Sequence, residues 1–282
     1  MNKAQKRFPD QLVQVNTDGN EILVFDTPAK FVDLVAKQHL SQGGEGWTGQ
    51  STTDCFKFAK SGDARLVPEA ERQIAKLQTT LPDLAPSWGA DIAGDLVVVP
   101  EFIVGIPEHM RRKIPNETTS APLKVVFDTT SSGGIDHKKL TLRATTILAL
   151  LMRLVVERPV EFWLAGIYDC PEDIGMMVRL PTAPLNLGLA AHLLTSVAFT
   201  RDFMYGTAHA LGWGGGWNKS YNGAMSSEKK LTAAMRKFFD CQDSDLMIPP
   251  AVCGYGASED IWRTPIEWIN KRLKKGREYD TD

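Results

Sequence analysis

The stretch that decides the fold runs from Leu123-Lys-Val-Val-Phe127 through Asp128-Thr-Thr-Ser-Ser-Gly-Gly134 and Lys138 to Glu157, and ends in Val160-Glu-Phe-Trp-Leu-Ala-Gly-Ile167. Leu123 to Phe127 is short, β-branched and almost wholly apolar, the pattern of a strand covered on both faces. Lys138 to Glu157 is too long for a strand. Its Leu140, Ile147, Leu148, Leu151, Leu154 and Val155 make a helix so apolar that most of it must be buried. Val160 to Ile167 returns to strand character. Strand, helix and strand in that order form a βαβ unit, and its two strands run parallel because the crossover returns the chain to the same end of the sheet. The expectation is an α/β fold with a mixed, largely parallel sheet flanked by helices.

Working outward toward the N-terminus, Leu96 to Val99 is another continuous apolar run and reads as a further strand buried on both faces. Pro68 to Leu81 is an amphipathic helix. Ser51 with Asp54 three residues later resembles a capping box, opening a helix through Phe56, Phe58 and Ala59 that Gly62 stops. Gly43 to Gly49 reads as loop. Pro28 starts a helix to about Leu40, with Phe31, Leu34 and Val35 on one face. Gln11 to Val15 and Glu21 to Asp26 are β-rich runs around Asn16-Thr-Asp-Gly-Asn20, and Asp18-Gly19 between such runs predicts a hairpin. Toward the C-terminus, Met176 to Leu180 adds a strand, Leu185 to Leu211 one or two helices, Ser227 to Cys241 a helix and Leu246 to Ile248 a late strand. Thr264-Pro-Ile-Glu267 has the N-cap, first-position proline and acidic third residue of a helix start. No internal repeat or low-complexity linker divides the chain. Residues 1–282 therefore read as a single α/β domain, with an N-terminal hairpin and helices over 1–90, the sheet-forming βαβ region over 91–182 and a helical region over 183–282.

Composition narrows the function classes. With 43% hydrophobic and 23% charged residues among 282, the chain can bury a full core. A net charge of −2 and a pI near 6.2 exclude coating of nucleic acid through global charge, and leave local basic clusters to be judged separately. Met1 to Asp10 is polar and basic without an apolar core, so no signal peptide is expected. The longest apolar run, Ala144 to Val156, is interrupted by Arg153 and is too short to span a bilayer. Cys55, Cys170, Cys241 and Cys253 lie far apart with no C-x-x-C, which suits reduced thiols better than a disulfide framework or a structural zinc site. These features together lead to the expectation of a cytoplasmic protein with no membrane attachment.

Signatures of catalysis are missing from the sequence. It holds no phosphate loop, no dinucleotide fingerprint after a strand and no nucleophile elbow. His39, His109, His137, His192 and His209 are scattered, and Glu172 with Asp173 sits in a polar turn. A binding protein is expected rather than an enzyme. The sharpest single site is Asp128, Thr130 and Ser132, a D-x-T-x-S pattern at the carboxyl end of a strand that feeds a helix, where open α/β sheets hold ligands. One carboxylate and two hydroxyls suit a hard cation such as magnesium. The same residues serve equally to turn the chain and cap the helix.

Three basic clusters carry aromatic or glycine-rich neighbours. Trp213, Trp217, Lys219 and Tyr221 share a glycine-rich segment, in which aromatic rings could stack on unpaired bases at about 1–3 kcal/mol each. The rings could also fold back over the core. Arg111, Arg112 and Lys113 follow Pro107 in what reads as a basic turn suited to phosphate contacts. Lys271, Arg272, Lys274 and Lys275 lie on the final helix, whose Ile266, Ile269 and Leu273 are spaced to pack inward; basic residues in a last turn also complement the helix dipole. Together the clusters offer about six to ten phosphate contacts, enough for strongly salt-dependent binding.

Two segments resemble uncharacterised tailed-phage proteins. Trp47-Thr-Gly49-Gln-Ser51, followed by a short helix ending at Ala59 and Gly62, resembles their opening motif, and Val99 to Met110 resembles their next block, V-x-x-x-L-x-G-x-P-x-x-M. The similarity continues through Arg143, Ala144 and Leu148 to Leu151 and covers about residues 47–165. By length, phage character and aromatic-basic elements the chain also resembles the Drc proteins of podoviruses, single-stranded-DNA-binding cofactors of a phage RNA polymerase. That resemblance implies sequence-tolerant binding of single-stranded DNA, homo-oligomerisation and a role in transcription or replication in the host cytoplasm. Asp128, Thr130 and Ser132 in turn resemble the metal-dependent adhesion motif of von Willebrand A domains, D-x-S-x-S, with threonine in place of the middle serine. That alternative implies a magnesium-dependent interaction module, with Thr182 and Asp169 as the distal ligands. A virion or assembly protein is a third reading.

Overall fold

The computed structural model describes residues 3–41, 45–78, 87–91, 96–97, 103, 110–114, 122–130, 137–157, 159–168, 174–212, 228–242 and 245–250. Its centre is a six-stranded sheet of β1 (Leu12–Val15), β2 (Glu21–Phe25), β6 (Leu123–Asp128), β7 (Val160–Tyr168), β8 (Ile174–Leu180) and β9 (Leu246–Ile248), in the order β1-β2-β8-β7-β6-β9. The β2/β8, β6/β7 and β6/β9 pairs are parallel; β1/β2 and β7/β8 are antiparallel. The fold is thus mixed α/β with a mostly parallel sheet, and the N-terminal hairpin forms one end of that sheet. Residues from both ends of the described chain contribute to it.

Period-two patterning explains how each strand feeds two cores. Leu23 and Phe25 of β2, Val125 and Phe127 of β6 and Met176 and Val178 of β8 lie in the larger cluster, while Ile22 and Val24, Val126 and Met177 face the other way. The larger face is covered by α2 (Pro28–Lys37), α4 (Thr52–Ser61), α5 (Val67–Gln78), α6 (His137–Glu157) and α7 (Leu187–Thr195). The opposite face packs Met235 and Phe238 of α9 (Glu228–Phe238), together with Phe239.

Local chemistry sets the helix ends. Thr27 and Ser51 cap α2 and α4, their hydroxyls accepting from the Lys30 and Asp54 amides at 3.2 and 3.1 Å. Asn186 caps α7 through the Leu189 amide at 3.0 Å. The short helix α1 (Lys3–Arg7) is capped from a distance: the buried Glu21 carboxylate accepts from the Lys3 and Ala4 amides at 2.7 and 2.5 Å. Gly62 ends α4 at φ 84°, and a Cβ there would stand 2.5 Å from the Leu189 nitrogen. The hairpin loop is tied by Asn16, whose Oδ1 accepts from the Asp18 and Asn20 amides while its Nδ2 donates to the Phe238 carbonyl at 2.9 Å. One residue thereby closes the turn and docks the end of α9.

Several expectations need correction. Leu96 and Val97 do form a strand, β4, but in a separate antiparallel sheet ordered β3-β5-β4, with β3 at Ser87–Asp91 and β5 at Met110–Ile114. An apolar run records burial and not the sheet that supplies it. Within Gly43 to Gly49, Glu45–Thr48 forms one helical turn, α3. The one or two helices expected over Leu185 to Leu211 are two, dividing at Ser196 into α7 and a second helical stretch that runs unbroken from 197 to 210. That stretch contains a π segment, Phe199–Met204, followed by α8 (Tyr205–Ala210). The helix start at Thr264 lies outside the described residues. No described helix is long and apolar enough to cross a membrane.

Candidate functional site

The carboxyl ends of the parallel strands β6 and β9 meet the amino-terminal half of α6, and this junction gathers several buried polar groups. Asp128, the last residue of β6, is fully buried. Its Oδ1 accepts from the Thr130 amide at 2.8 Å and from the Thr130 hydroxyl at 2.5 Å, while the next turn is tied to β7 by the Thr129 amide bonding the Ala165 carbonyl at 3.0 Å. A carboxylate bonding the amide two residues on makes an Asx turn. From α6, the buried Arg143 donates to the Asp128 carbonyl at 3.1 Å and the Pro249 carbonyl at 2.5 Å, with its guanidinium 4.5 Å over the Phe127 ring. It clamps the ends of two neighbouring strands to the crossover helix.

These bonds describe the turn role of Asp128 and Thr130. The guanidinium at the Asp128 carbonyl also disfavours a divalent cation beside it. Thr182, a proposed distal ligand, donates to the Val160 carbonyl at 2.6 Å, at the amino end of β7. Asp128 pairs with Ala165, five residues further along that strand and about 16 Å away at the usual rise. Thr182 therefore cannot join Asp128 at one ion. Ser132 and Asp169 lie outside the described residues. Among the described residues, no group of three or more His, Cys, Asp or Glu side chains is gathered for a metal.

On the other side of the junction, the helical stretch 197–210 brings Thr200, Arg201 and Tyr205 toward Thr129 and Arg143, around a cavity of about 30 Å³. Burial first, and the Asp128 charge second, push the Tyr205 hydroxyl up to about 12 against the opposing pull of Arg201. It therefore stays protonated at neutral pH. The adjacent Asp202 turns away: buried, it accepts from the Ser41 hydroxyl at 2.6 Å and the Thr52 hydroxyl at 3.3 Å. Arg201-Asp202 is the charged pair that interrupts an otherwise apolar run, and that interruption was the signal the sequence carried for this side of the junction.

A larger cavity of about 410 Å³ lies beside Phe8, Leu12, Asp26, Lys30, Asp33 and Lys37, between the N-terminal segment and α2. No motif pointed to it. Several of its charges are already matched: Lys30 pairs with Asp26 at 2.6 Å, and Lys60 pairs with Asp33. Lys30 accordingly holds the Asp26 carboxyl below its usual range.

Of the basic and aromatic positions, Arg111, Arg112 and Lys113 fall in the middle of β5 and not in a turn. The register sets Arg111 across from Ala90 and Leu96, Arg112 from Gly89 and Lys113 from Trp88. A turn would have kept the three cations together; in a strand, consecutive positions belong to opposite faces. Trp213, Trp217, Lys219, Tyr221, Lys271, Arg272, Lys274 and Lys275 lie outside the described residues.

No curated protein and no solved structure matches this chain. One family model does, that of DUF7192, a domain of unknown function, over residues 14–274. The match takes in most of the hairpin, the βαβ unit, the π segment and the late strand, which is nearly the whole chain. The protein therefore belongs to the DUF7192 family.

Proposed function

We propose that this protein binds single-stranded DNA and acts as a cofactor of phage transcription or replication in the host cytoplasm, self-associating and with a phage RNA polymerase as partner. The observation that carries the reading is the register of the small sheet. Cross-strand partners share a face, so positions 88, 111 and 113, a tryptophan and two cations, belong to one side of an antiparallel sheet. A π-face beside phosphate-directed charges is the combination that binds unpaired strands without regard to sequence. Gly89 and Ala90 stand across from Arg112 and Arg111 in the same register. The resemblance of residues 47–165 to tailed-phage proteins supports the phage setting.

Fluorescence anisotropy of a labelled thirty-nucleotide oligomer, single- and double-stranded, tests this across a salt series. Preferential single-strand binding that weakens steeply with salt is expected. Lys113→Ala should reduce the magnitude of the salt slope by about one, and Trp88→Ala should cost about 1–3 kcal/mol with little change in slope. A folded Trp213→Ala/Trp217→Ala double variant should weaken binding further. Absence of binding to single strands at low salt would refute the proposal.

A further inference from the structure

The large sheet ends in β1, whose outer edge is unpaired among the described residues. The hairpin fixes what that edge offers. The Asn16 amide bonds the Asn20 carbonyl at 3.0 Å, so positions 16 and 20 are a hydrogen-bonded pair. Antiparallel pairs alternate between bonded and non-bonded. The register Val15↔Glu21, Gln14↔Ile22, Val13↔Leu23, Leu12↔Val24 therefore turns the amides and carbonyls of Leu12 and Gln14 inward to β2, and those of Val13 and Val15 outward. Among the described residues no main-chain bond from another element reaches these outward groups. Gln11, the next outward position, is already engaged: its amide bonds the Phe8 carbonyl at 3.1 Å.

The side chains point the same way. Leu12 and Val15, both apolar, are 53% and 51% exposed. Residues 11–17, Gln-Leu-Val-Gln-Val-Asn-Thr, carry no charge and no proline, the devices by which edge strands ordinarily repel further pairing. Such an edge accepts an added strand. It also complements itself. A two-fold axis at Gln14 sets Val13 across from Val15 of a second copy, so every outward amide and carbonyl of the two valines finds a partner and their apolar side chains meet. At the axis the exposed, uncharged Gln14 faces its own counterpart, and Leu12 faces Asn16. A register centred on Val13 would need the Gln11 amide that Phe8 holds, and one centred on Val15 would set Val13 against the turn at Thr17. The nearest acids, Asp10 and Asp18, fall at the ends of the contact, where Lys237 already meets Asp18 at 2.9 Å.

We propose that the outer edge of β1 is a self-association surface, at which a second copy of this chain adds its own β1 antiparallel about a two-fold axis at Gln14 and joins the two large sheets into one. This gives the surface and symmetry of the self-association proposed above, and it rests on none of the DNA-binding residues. The contact is short, so the dimer is reversible, with a Kd in about the micromolar range.

Sedimentation velocity of the full chain without nucleic acid, from about 1 to about 200 µM, tests this. A concentration-dependent equilibrium between monomer and dimer is expected. Val15→Pro removes an outward amide and spares the ladder to β2, so it should raise the dimer Kd at least about tenfold while circular dichroism stays that of the natural chain. Should Val15→Pro fail to fold, Val15→Lys keeps every main-chain group and sets two ammoniums diagonally across the axis, with the same weakening expected. Gln14→Cys puts two thiols at a non-hydrogen-bonded pair, with Cα atoms about 4.5 Å apart, within disulfide reach. On oxidation with diamide it should form a reducible dimer well beyond any formed by the natural chain or by Leu12→Cys, whose position faces Asn16. A chain that stays monomeric across the range overturns the proposal and leaves the edge to some other strand. A dimer indifferent to the folded Val15 variant, or a Gln14→Cys protein that cross-links no faster than Leu12→Cys, overturns it too. Anisotropy with the labelled oligomer reads single-strand binding separately, so either reading can fail alone.

Discussion

Replacing Arg143 by methionine keeps much of the side-chain length and removes only the guanidinium. The loss can be worked from its contacts. Two hydrogen bonds from a charged donor, to Asp128 O and Pro249 O, contribute about 1.5–3 kcal/mol each when buried. The stacking over Phe127 contributes about 1 kcal/mol more. Against this, methionine needs no desolvation of a charge and refills part of the space. A net loss of about 3–5 kcal/mol follows, equivalent to about 6–20 °C in Tm for a domain this large. Urea denaturation with an unchanged m-value measures the global loss, and amide exchange locates it. Among the described residues β9 pairs with β6 and with no other strand, and Arg143 bonds the residue just after it, so Leu246–Ile248 should lose protection before β8 does. A loss below about 1 kcal/mol, or exchange in β9 that matches the natural protein, would refute the clamp.

Further outcomes follow from other parts of the fold. Gly62→Ala combines a left-handed φ of 84° with a Cβ 2.5 Å from the Leu189 nitrogen, so it should cost more than about 2 kcal/mol by denaturation; a neutral substitution would contradict the close packing of the α4 end on α7. Burial holds His192 at about 4, below its unfolded value near 6.5, so the unfolded chain binds the extra proton between those values. Its contribution is therefore complete above about pH 6.5 and is lost as pH falls toward about 4, by about 3 kcal/mol in all. His192→Leu should flatten that part of the stability profile, and an unchanged slope would remove His192 as the cause.

Much of the frame was legible from local pattern. The βαβ unit, the hairpin, the Pro28 and Ser51 helix starts and the late strand each rest on a period, a cap or a turn residue within a few positions of chain, and each was recovered at nearly the expected bounds. Asp128 was legible as a turn or a ligand because a short acid followed by hydroxyls is ambiguous in sequence; only its bonds to Thr130 show the turn. The basic run 111–113 was misread as a turn because proline and charge upstream outweighed a weak strand signal. Its pairing with β3 is a contact between distant residues and leaves no local trace.

The sequence by itself determined most of the elements of the large sheet and its covering helices, and which of their faces are buried, since those follow from side-chain spacing along one element. Tertiary structure alone decided that β8 runs antiparallel to β7 yet parallel to β2, that Leu96–Val97 belongs to a second sheet, and that Arg143, Arg201 and Tyr205 share one cavity. Strand order and the meeting of Arg143 with Arg201 depend on how separate amphipathic pieces satisfy one another's buried faces. That is a property of the assembled core, and no single segment of the chain encodes it.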